Sequence, residues 1–404
     1  MESLQVYSTP RLFSKPDFTL ATVLLAGVIF TYQMLYPPFV SHVAFPPMVR
    51  LLVEALTLVL LLSAYWLNNG FGVAPQLLWA SFFVGLYGLF GGDQPEQVFS
   101  FFNKMLYFVL LIRVMDRYLN LYLWVRRLWI WLWLSFFAMS FLAVAAHLFG
   151  ILSFRAFPYP LGYPYQFHPL VGNLLQKNIL GIWLPRYTGW IDEPGLFAFF
   201  CGLNLFMARD LFIEAKHARR YALIATLAGI LSLSYTFYLY LALWFGFVWI
   251  KKARIGLGLV AFLIFIFAFP PIVYIVFNPD ALPNSSALVR IDRLVLVLNK
   301  YLELNLWEMF FGIGILPMKE LIQGGATAGV VQVIFSRGLL LFCFFAWLLY
   351  YYSRHNFPLL LFFLYFSLTF DFFWYPLFLT AIALSFLCYR HNAEPLELTI
   401  EAPA

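Results

Sequence analysis

Residues 128–149 read LWIWLWLSFFAMSFLAVAAHLF, free of Asp, Glu, Lys and Arg and directly preceded by Arg126 and Arg127. About 20 apolar residues make a helix long enough to cross the hydrocarbon core of a bilayer. In that core the backbone must satisfy its own N–H and C=O groups, which an α-helix does within one segment. The stretch therefore predicts a transmembrane helix over 128–150. Comparable runs lie near 18–36, 48–67, 74–91, 98–115, 194–208, 221–233, 235–250, 255–277, 329–352, 357–371 and 373–389. Together they predict an all-α, polytopic membrane helical bundle with about 12 transmembrane helices. Residues 1–404 form a single integral membrane domain on this reading.

Composition points the same way. The chain is 63% hydrophobic and 11% charged, whereas soluble domains are about 45–50% apolar and about 25% charged. Mean hydropathy is +0.84. A net charge of +6 does not point to nucleic acid, because membrane proteins gather Lys and Arg in cytoplasmic loops. Cys201, Cys343 and Cys388 lie in apolar runs without CxxC or Cys/His spacing, which indicates neither a disulfide framework nor a zinc site. No small-residue cleavage site follows a short apolar core at the N-terminus, so the first span reads as a retained anchor. Aromatics near span ends (Trp66, Trp129, Trp131, Tyr274 and Tyr351) fit interfacial belts.

Basic residues set the orientation. Arg11 and Lys15; Arg113, Arg117, Arg126 and Arg127; Arg209, Lys216, Arg219 and Arg220; Lys251, Lys252 and Arg254; Arg354; and Arg390 all fall on one side of a twelve-span map. That side is cytoplasmic, with both termini inside. Two long connections then face outward, 151–193 and 278–328, and loops of that length are usually functional or disordered. The first is dense in aromatics and proline. The second contains LVLVLNKYLELNLWEMF (294–310), whose pattern suits an amphipathic helix. Both are expected to fold onto the outer face. No internal repeat supports an inverted-repeat transporter.

These outer loops break the charge rule. They carry Arg155, Lys177, Arg186, Arg290, Arg293, Lys300 and Lys319, and Arg337 opens the next span. One reading pairs them with Asp192, Glu193, Asp280, Asp292 and Glu303 as loop salt bridges. The other is an anionic ligand, since Arg meets phosphate with a planar fork and keeps its charge. Arg186 and Arg290 stand near the membrane boundary, where ionisable groups are functional candidates. Arg290 and Arg293 share a helix face. Glu193 precedes Pro194, a residue suited to the first helical turn. It is then either a capping acid held by the helix dipole or a carboxylate that takes a proton from an attacking hydroxyl. GIG (312–314) and GG (324–325) allow tight turns, without a GxxxxGK[ST] sequence. Ser232, Ser234 and Thr236 line a polar cavity or back-bond within a helix. His168 and Asp371 read as structural or boundary residues.

Taken in order, R-x-x-G at 186–189, EPG at 193–195, LSLSYT at 231–236, VRIDRL at 289–294, and GIG at 312–314 before SRGLLLF at 336–342 form a pattern. It resembles the Wzy-type O-antigen polymerase and O-antigen ligase superfamily of bacterial membrane proteins. The resemblance implies a glycan linked to undecaprenyl pyrophosphate as substrate, with transfer of its reducing end to a hydroxyl. It implies a multi-pass protein of the bacterial inner membrane with its active site facing the periplasm. No metal or nucleotide cofactor is expected, because the pyrophosphate bond supplies the energy. Expected partners are the lipid-linked glycan, membrane lipid and a chain-length regulator protein. Carried onto this chain, Arg186, Glu193 and Arg290 are the catalytic candidates. Asp192, Arg293, Tyr187, Trp190, Lys319 and Arg337 are the substrate-binding ones. Aromatics of the first loop, Tyr159, Tyr163, Tyr165, Phe167, Trp183 and Trp190, either stack on sugars or pack the loop onto the membrane. Two departures favour a polymerase over a ligase: Ser234-Tyr235 where Ser-Arg is frequent, and LIQGGATAGVVQ without the His that ligases carry after Gly-x-Gly. An O-antigen ligase acting on lipid A core, or a transporter of the same lipid-linked glycan, is the alternative. Against transport, the spans read as almost uncharged.

Overall fold

A computed structural model describes residues 19–69, 75–156, 166–179, 182–191, 193–212, 214–253, 286–321, 329–367 and 375–397. The chain begins with α1 (Leu20–Met34), a short α2 (Ser41–Ala44), α3 (Pro47–Asn69), α4 (Pro75–Phe90), α5 (Pro95–Arg117) and α6 (Leu119–Leu148). Among the described residues four helical stretches are long and apolar enough to cross a membrane: Pro47–Leu67, Pro95–Arg117, Leu119–Leu148 and Val331–Ser353. Shorter apolar helices cover Leu20–Met34, Leu78–Phe90 and Pro376–His391. This is the architecture of a mainly α-helical membrane protein. The apolar stretch near 255–277 lies outside the described residues.

Inside the bundle α6 is central. It packs against α1, α5, α7 (Pro194–Leu211) and α8 (Ala215–Leu231). Trp133 stacks on Phe200 with ring centroids 4.8 Å apart. Trp129 corrects its assignment to an interfacial belt. It is fully buried, and its indole N–H donates to Asn204 Oδ1 at 2.9 Å. A buried tryptophan needs such an acceptor, and α7 provides one in the core. Trp131, on another face of α6, is exposed.

The first long connection departs from the all-α expectation. It contains an antiparallel sheet, β1 (Arg155–Ala156), β2 (Gln166–His168), β3 (Gly172–Ile179) and β4 (Ile182–Gly189), in that spatial order. Ile179 pairs with Ile182 and Leu175 with Arg186. The strand signal is blunted by Pro185 within β4. Proline is tolerated because β4 is an edge strand, where a missing N–H leaves no ladder bond unmade. The sheet is held to the helices by β4, which lies against α6, α7 and α8. Val40 N–H also donates to Trp190 O at 2.9 Å, and Phe39 bridges to Ile191.

Beyond α8 comes α9 (Tyr235–Ala253), so the expected hairpin forms. Its turn places Leu233 at φ +46°, a left-handed conformation uncommon for a non-glycine residue. The second long connection yields α10 (Ser286–Leu302), α11 (Leu306–Phe311) and α12 (Ile315–Leu321). The single amphipathic helix expected over 294–310 is thus split. Asn305 ends it by starting a new helix: its side chain accepts from Glu308 N while the Glu308 carboxylate accepts from Asn305 N, a capping box. Val297, Met318 and Phe335 form a small buried cluster that fixes this segment on α13 (Gly329–Ser353). The chain closes with α14 (Phe357–Ser367) and α15 (Pro376–Glu397).

A kink interrupts α13 at Gly338, where φ is +81° and ψ is 163°. Gly312, at φ +79°, lies against it. A Cβ on Gly338 would come within 2.2 Å of Phe310 O, and one on Gly312 within 2.3 Å of Ser336 O. The two backbones touch where no side chain fits. Gly338→Ala is therefore expected to cost about 1–3 kcal/mol from backbone strain alone, with the steric clash in addition. Gly246→Ala, on α9 with nothing within 4 Å of the added methyl, should be neutral or stabilising. Thermal denaturation of both variants in one detergent tests the contrast, and equal midpoints would refute the role given to Gly338.

Candidate functional site

One end of the bundle is tied by polar contacts. Arg390 bonds Asp116 at 2.6 Å. Asp210 accepts from Ser385 at 2.6 Å and Asn356 at 2.8 Å. These contacts gather the C-terminal ends of α5, α7 and α15. The N-terminal ends, opened by Pro95, Pro194 and Pro376, therefore stand at the opposite end, together with the sheet. Two assemblies built from distant segments occupy that opposite end.

The first joins β4 to the α8–α9 turn. Arg186 is half-buried, and its Nε donates to Ser232 O at 2.7 Å. Ser232 is the C-cap of α8, so the guanidinium sits at the negative end of that helix, worth about 0.3–1 kcal/mol. The Ser232 hydroxyl donates to Gly229 O at 2.6 Å and receives Ser234 N at 3.3 Å. Ser232 thus back-bonds and organises the turn; the side chain of Thr236 lies outside the described residues. Arg186 of the first motif and the serine turn of the second are in contact.

Neighbouring candidates fall on either side. Tyr187 faces the core, fully buried, with its hydroxyl donating to Val171 O at 2.8 Å. Burial, and secondarily Cys201, pushes its pKa up. It anchors β4 and offers no surface to a ligand in this arrangement. Trp190 is half-buried, edge-on to Phe167 at 5.2 Å. Glu193 has the extended backbone of an N-cap, φ −136° and ψ 140°, but its carboxylate makes no capping hydrogen bond. The capping explanation therefore accounts for its backbone and not for its side chain. Asp192 lies outside the described residues. His168 Nδ1 accepts Leu170 N at 3.2 Å, a local structural bond.

The second assembly centres on Asp93, in the turn between α4 and α5. Its side chain is 0% exposed. One carboxylate oxygen accepts Ile315 N–H at 2.5 Å. The other accepts the Tyr87 hydroxyl and faces Arg337 Nη1 at 3.3 Å. The Arg337 guanidinium also lies over the rings of Tyr87 and Phe101, 5.7 and 5.2 Å from their centroids. GIG and SRG meet here through Gly314 N to Ser336 O at 2.8 Å and Ile313 N to Phe335 O at 3.2 Å. Arg337 is thus committed to Asp93, and Lys300 to Glu303 at 2.8 Å. For Lys300 the loop-salt-bridge reading holds, whereas Arg337 pairs with Asp93, an acid that reading did not include.

Arg290 and Arg293 both lie on α10, seven and four residues before buried Val297. Arg293 therefore lies on the helical stripe that leads into the α13 contact, while the side chain of Arg290 lies outside the described residues. Arg293 is half-buried and Lys319, on α12, is exposed. The arginines do not all gather at one point. Arg186 belongs to the sheet and hairpin, whereas Arg293 and Arg337 belong to α10–α13. Among the described residues no group of three or more His, Cys, Asp or Glu converges as a metal cage.

Sequence reasoning missed Asp93 and a buried group within the helices. Gln33, Glu54, Tyr107 and Thr380 are polar and almost inaccessible in α1, α3, α5 and α15. The lone acid inside the apolar run of α3 was the available signal. Comparison with known proteins yields no matching family model, no matching curated protein and no matching solved structure.

Breaking a buried pair by removing one partner costs about 3–5 kcal/mol, because the other charge stays buried without compensation. Asp93→Ala should show that loss, and Arg337→Leu a smaller one. The double variant Asp93→Ala with Arg337→Leu should recover part of the deficit of Asp93→Ala. Additive losses in chemical denaturation would show that the two side chains act independently.

Proposed function

We propose that the protein is a membrane glycosyltransferase of the polymerase type, joining oligosaccharide repeats carried on undecaprenyl pyrophosphate. The observation that carries the reading is the joining of sequence-distant motifs at one end of the bundle. Arg186 meets the serine turn at 2.7 Å, and GIG meets SRG at 2.8 Å. On this reading α1, α3–α9, α13–α15 and the apolar stretch near 255–277 form twelve spans. The two long connections then face the periplasm of a bacterial inner membrane.

The reaction follows from those positions. An acceptor hydroxyl oxygen attacks the anomeric carbon of the donor glycan. A new glycosidic C–O bond forms as the bond to pyrophosphate breaks, and the lipid pyrophosphate leaves with its electron pair. Glu193, the N-cap residue of α7 beside the sheet, takes the hydroxyl proton. Arg186 stabilises the departing charge from a fixed position, because its Nε bond to the turn sets the plane of the fork. Arg290 and Arg293 on α10 hold the pyrophosphate or the acceptor's own lipid phosphate. The lipid tail stays in the bilayer, which requires the charged site to sit at the boundary.

Purified protein in nanodiscs, given a lipid-pyrophosphate-linked repeat, is expected to produce a ladder of glycan lengths. Arg186→Lys keeps the charge but loses the planar fork, and should lower the rate about 10²–10³-fold, the scale of one lost electrostatic contact. Glu193→Gln should lower it about 10²–10⁴-fold, the scale of general base catalysis. A single transfer seen only with lipid A core would make the protein a ligase. Movement of the lipid-linked glycan across the bilayer without any new bond would make it a transporter. A full ladder from both variants would remove Arg186 and Glu193 from the mechanism.

A further inference from the structure

The second long connection carries an apolar stripe that no described residue covers. Three faces separate along α10 at helical spacing. Val297 and Tyr301 turn toward α13, where Tyr301 lies 6.4 Å from Phe335 between ring centroids. Half-buried Arg293 precedes them by one turn. A second face carries Asn299, Lys300 and Glu303, all exposed, with exposed Leu296 among them. The third carries Val295, Leu298 and Leu302, at i, i+3 and i+7, and all three are exposed. A helix on the watery side of a bundle needs one apolar stripe, directed at the core. In α10 that stripe is already used against α13, and a second one remains.

The second stripe does not end with α10. It passes the Asn305 capping box into α11, where Leu306, Trp307 and Phe310 are exposed. Leu302 and Leu306 are the most open, at 78% and 74%. Trp307 meets Phe90, the last residue of α4, edge-on at 4.9 Å, and Phe311 lies 5.2 Å from the same ring. On α4 the residues Leu78, Phe82 and Leu89 share one helical face and are exposed. On a helix of a membrane protein such a face meets acyl chains. The apolar surface of α4 therefore continues, where that helix ends, onto α11 and then α10.

We propose that α10 and α11 form an interfacial elbow that lies along the bilayer surface. Val295, Leu298 and Leu302 reach the acyl chains together with the exposed side chains of α11, while Asn299, Lys300 and Glu303 face water. The occupant of the stripe is lipid and not a second protein, for two reasons. The stripe is continuous with the lipid-facing flank of α4. Trp307 also stands at the end of that flank, the headgroup level where tryptophan is enriched. Seated in this way, the elbow fixes the depth of Arg293 and of the crossing on α13. The proposal does not rest on the polymerase reading, since membrane depth is measured without any glycan.

The test uses the full chain in nanodiscs holding one copy each. Cys343→Ala removes the exposed native thiol, and Cys201 and Cys388 are buried. Leu298→Cys, Leu302→Cys, Asn299→Cys and Glu303→Cys each then carry one nitroxide. All four positions are exposed, so the packed face is left intact. Electron paramagnetic resonance should find the labels at 298 and 302 open to oxygen and closed to a water-soluble nickel chelate, about 5–10 Å into the headgroup and acyl boundary. The labels at 299 and 303 should show the reverse. Equal nickel access at all four would overturn the proposal and leave the stripe to a protein partner. Positions 298 and 302 closed to both oxygen and nickel would show that protein covers them, and would overturn it as well. In the wild-type chain, a phospholipid with a photoactivated carbene precursor in its acyl chain should form adducts within 302–310. Adducts on α4 and none within 302–310 would count against the elbow without any substitution.

Discussion

The Asp93 carboxylate fixes one end of the bundle by holding three separate segments. It accepts the first N–H of α12, the hydroxyl of Tyr87 on α4 and the guanidinium of Arg337 on α13. Each of those donors is withdrawn from water, so each must find an acceptor or bear the full cost of desolvation. The carboxylate serves all of them only if the α4–α5 turn, the GIG bend and the kink of α13 lie together. A buried ion pair of this kind adds little net stability over a well-packed apolar substitute. Its value here is geometric: other registers of α10–α12 on α13 would leave a charge unmatched. Glycines at the crossing let the backbones approach closely enough for the pair to form.

The same end is built a second time with different means. Alternation along β4 turns Tyr187 into the core and Arg186 toward the α8–α9 turn. Tyr187 is the anchor, with its hydroxyl bonded and its ring against Phe197 at 5.2 Å. Arg186 is the group so positioned. A loop arginine would have to give up much rotamer freedom to hold a departing pyrophosphate. One already fixed by a strand and a helix C-terminus has lost that freedom on folding. Preorganisation of this sort is what electrostatic stabilisation of a transition state requires.

How much of this was legible in the sequence depended on which force decides each element. Apolar runs dictate helices in a membrane protein, and so α3, α5, α6 and α13 could be read directly. Helix ends were less clear: α8 begins at Ala215, inside a charged segment that looked like a loop. The sheet escaped notice because Pro185 breaks the strand pattern and only the edge position of β4 makes it acceptable. Asn305 split an expected helix through a capping box, a signal present in N-L-W-E but overridden by the apolar period. Arg186 was legible because a cation at a span boundary is conspicuous. Asp93 was not, since its partners Ile315 and Arg337 lie more than two hundred residues away in the chain.

The helices also carry more charge than their hydropathy suggests. Glu54 and Lys104 both belong to apolar helices, and they meet around Tyr36. The near absence of charge in the spans therefore cannot by itself separate a glycosyltransferase from a transporter. The distribution can. A transport path needs polar groups at successive depths through the bundle. Here Arg186 and Arg337 stand at the end of the bundle that carries the sheet, and the Glu54 cluster is linked toward the same end through Tyr36 and the Phe39–Ile191 bridge. Cations held at one end of the bundle suit chemistry at one face of a membrane better than passage through it.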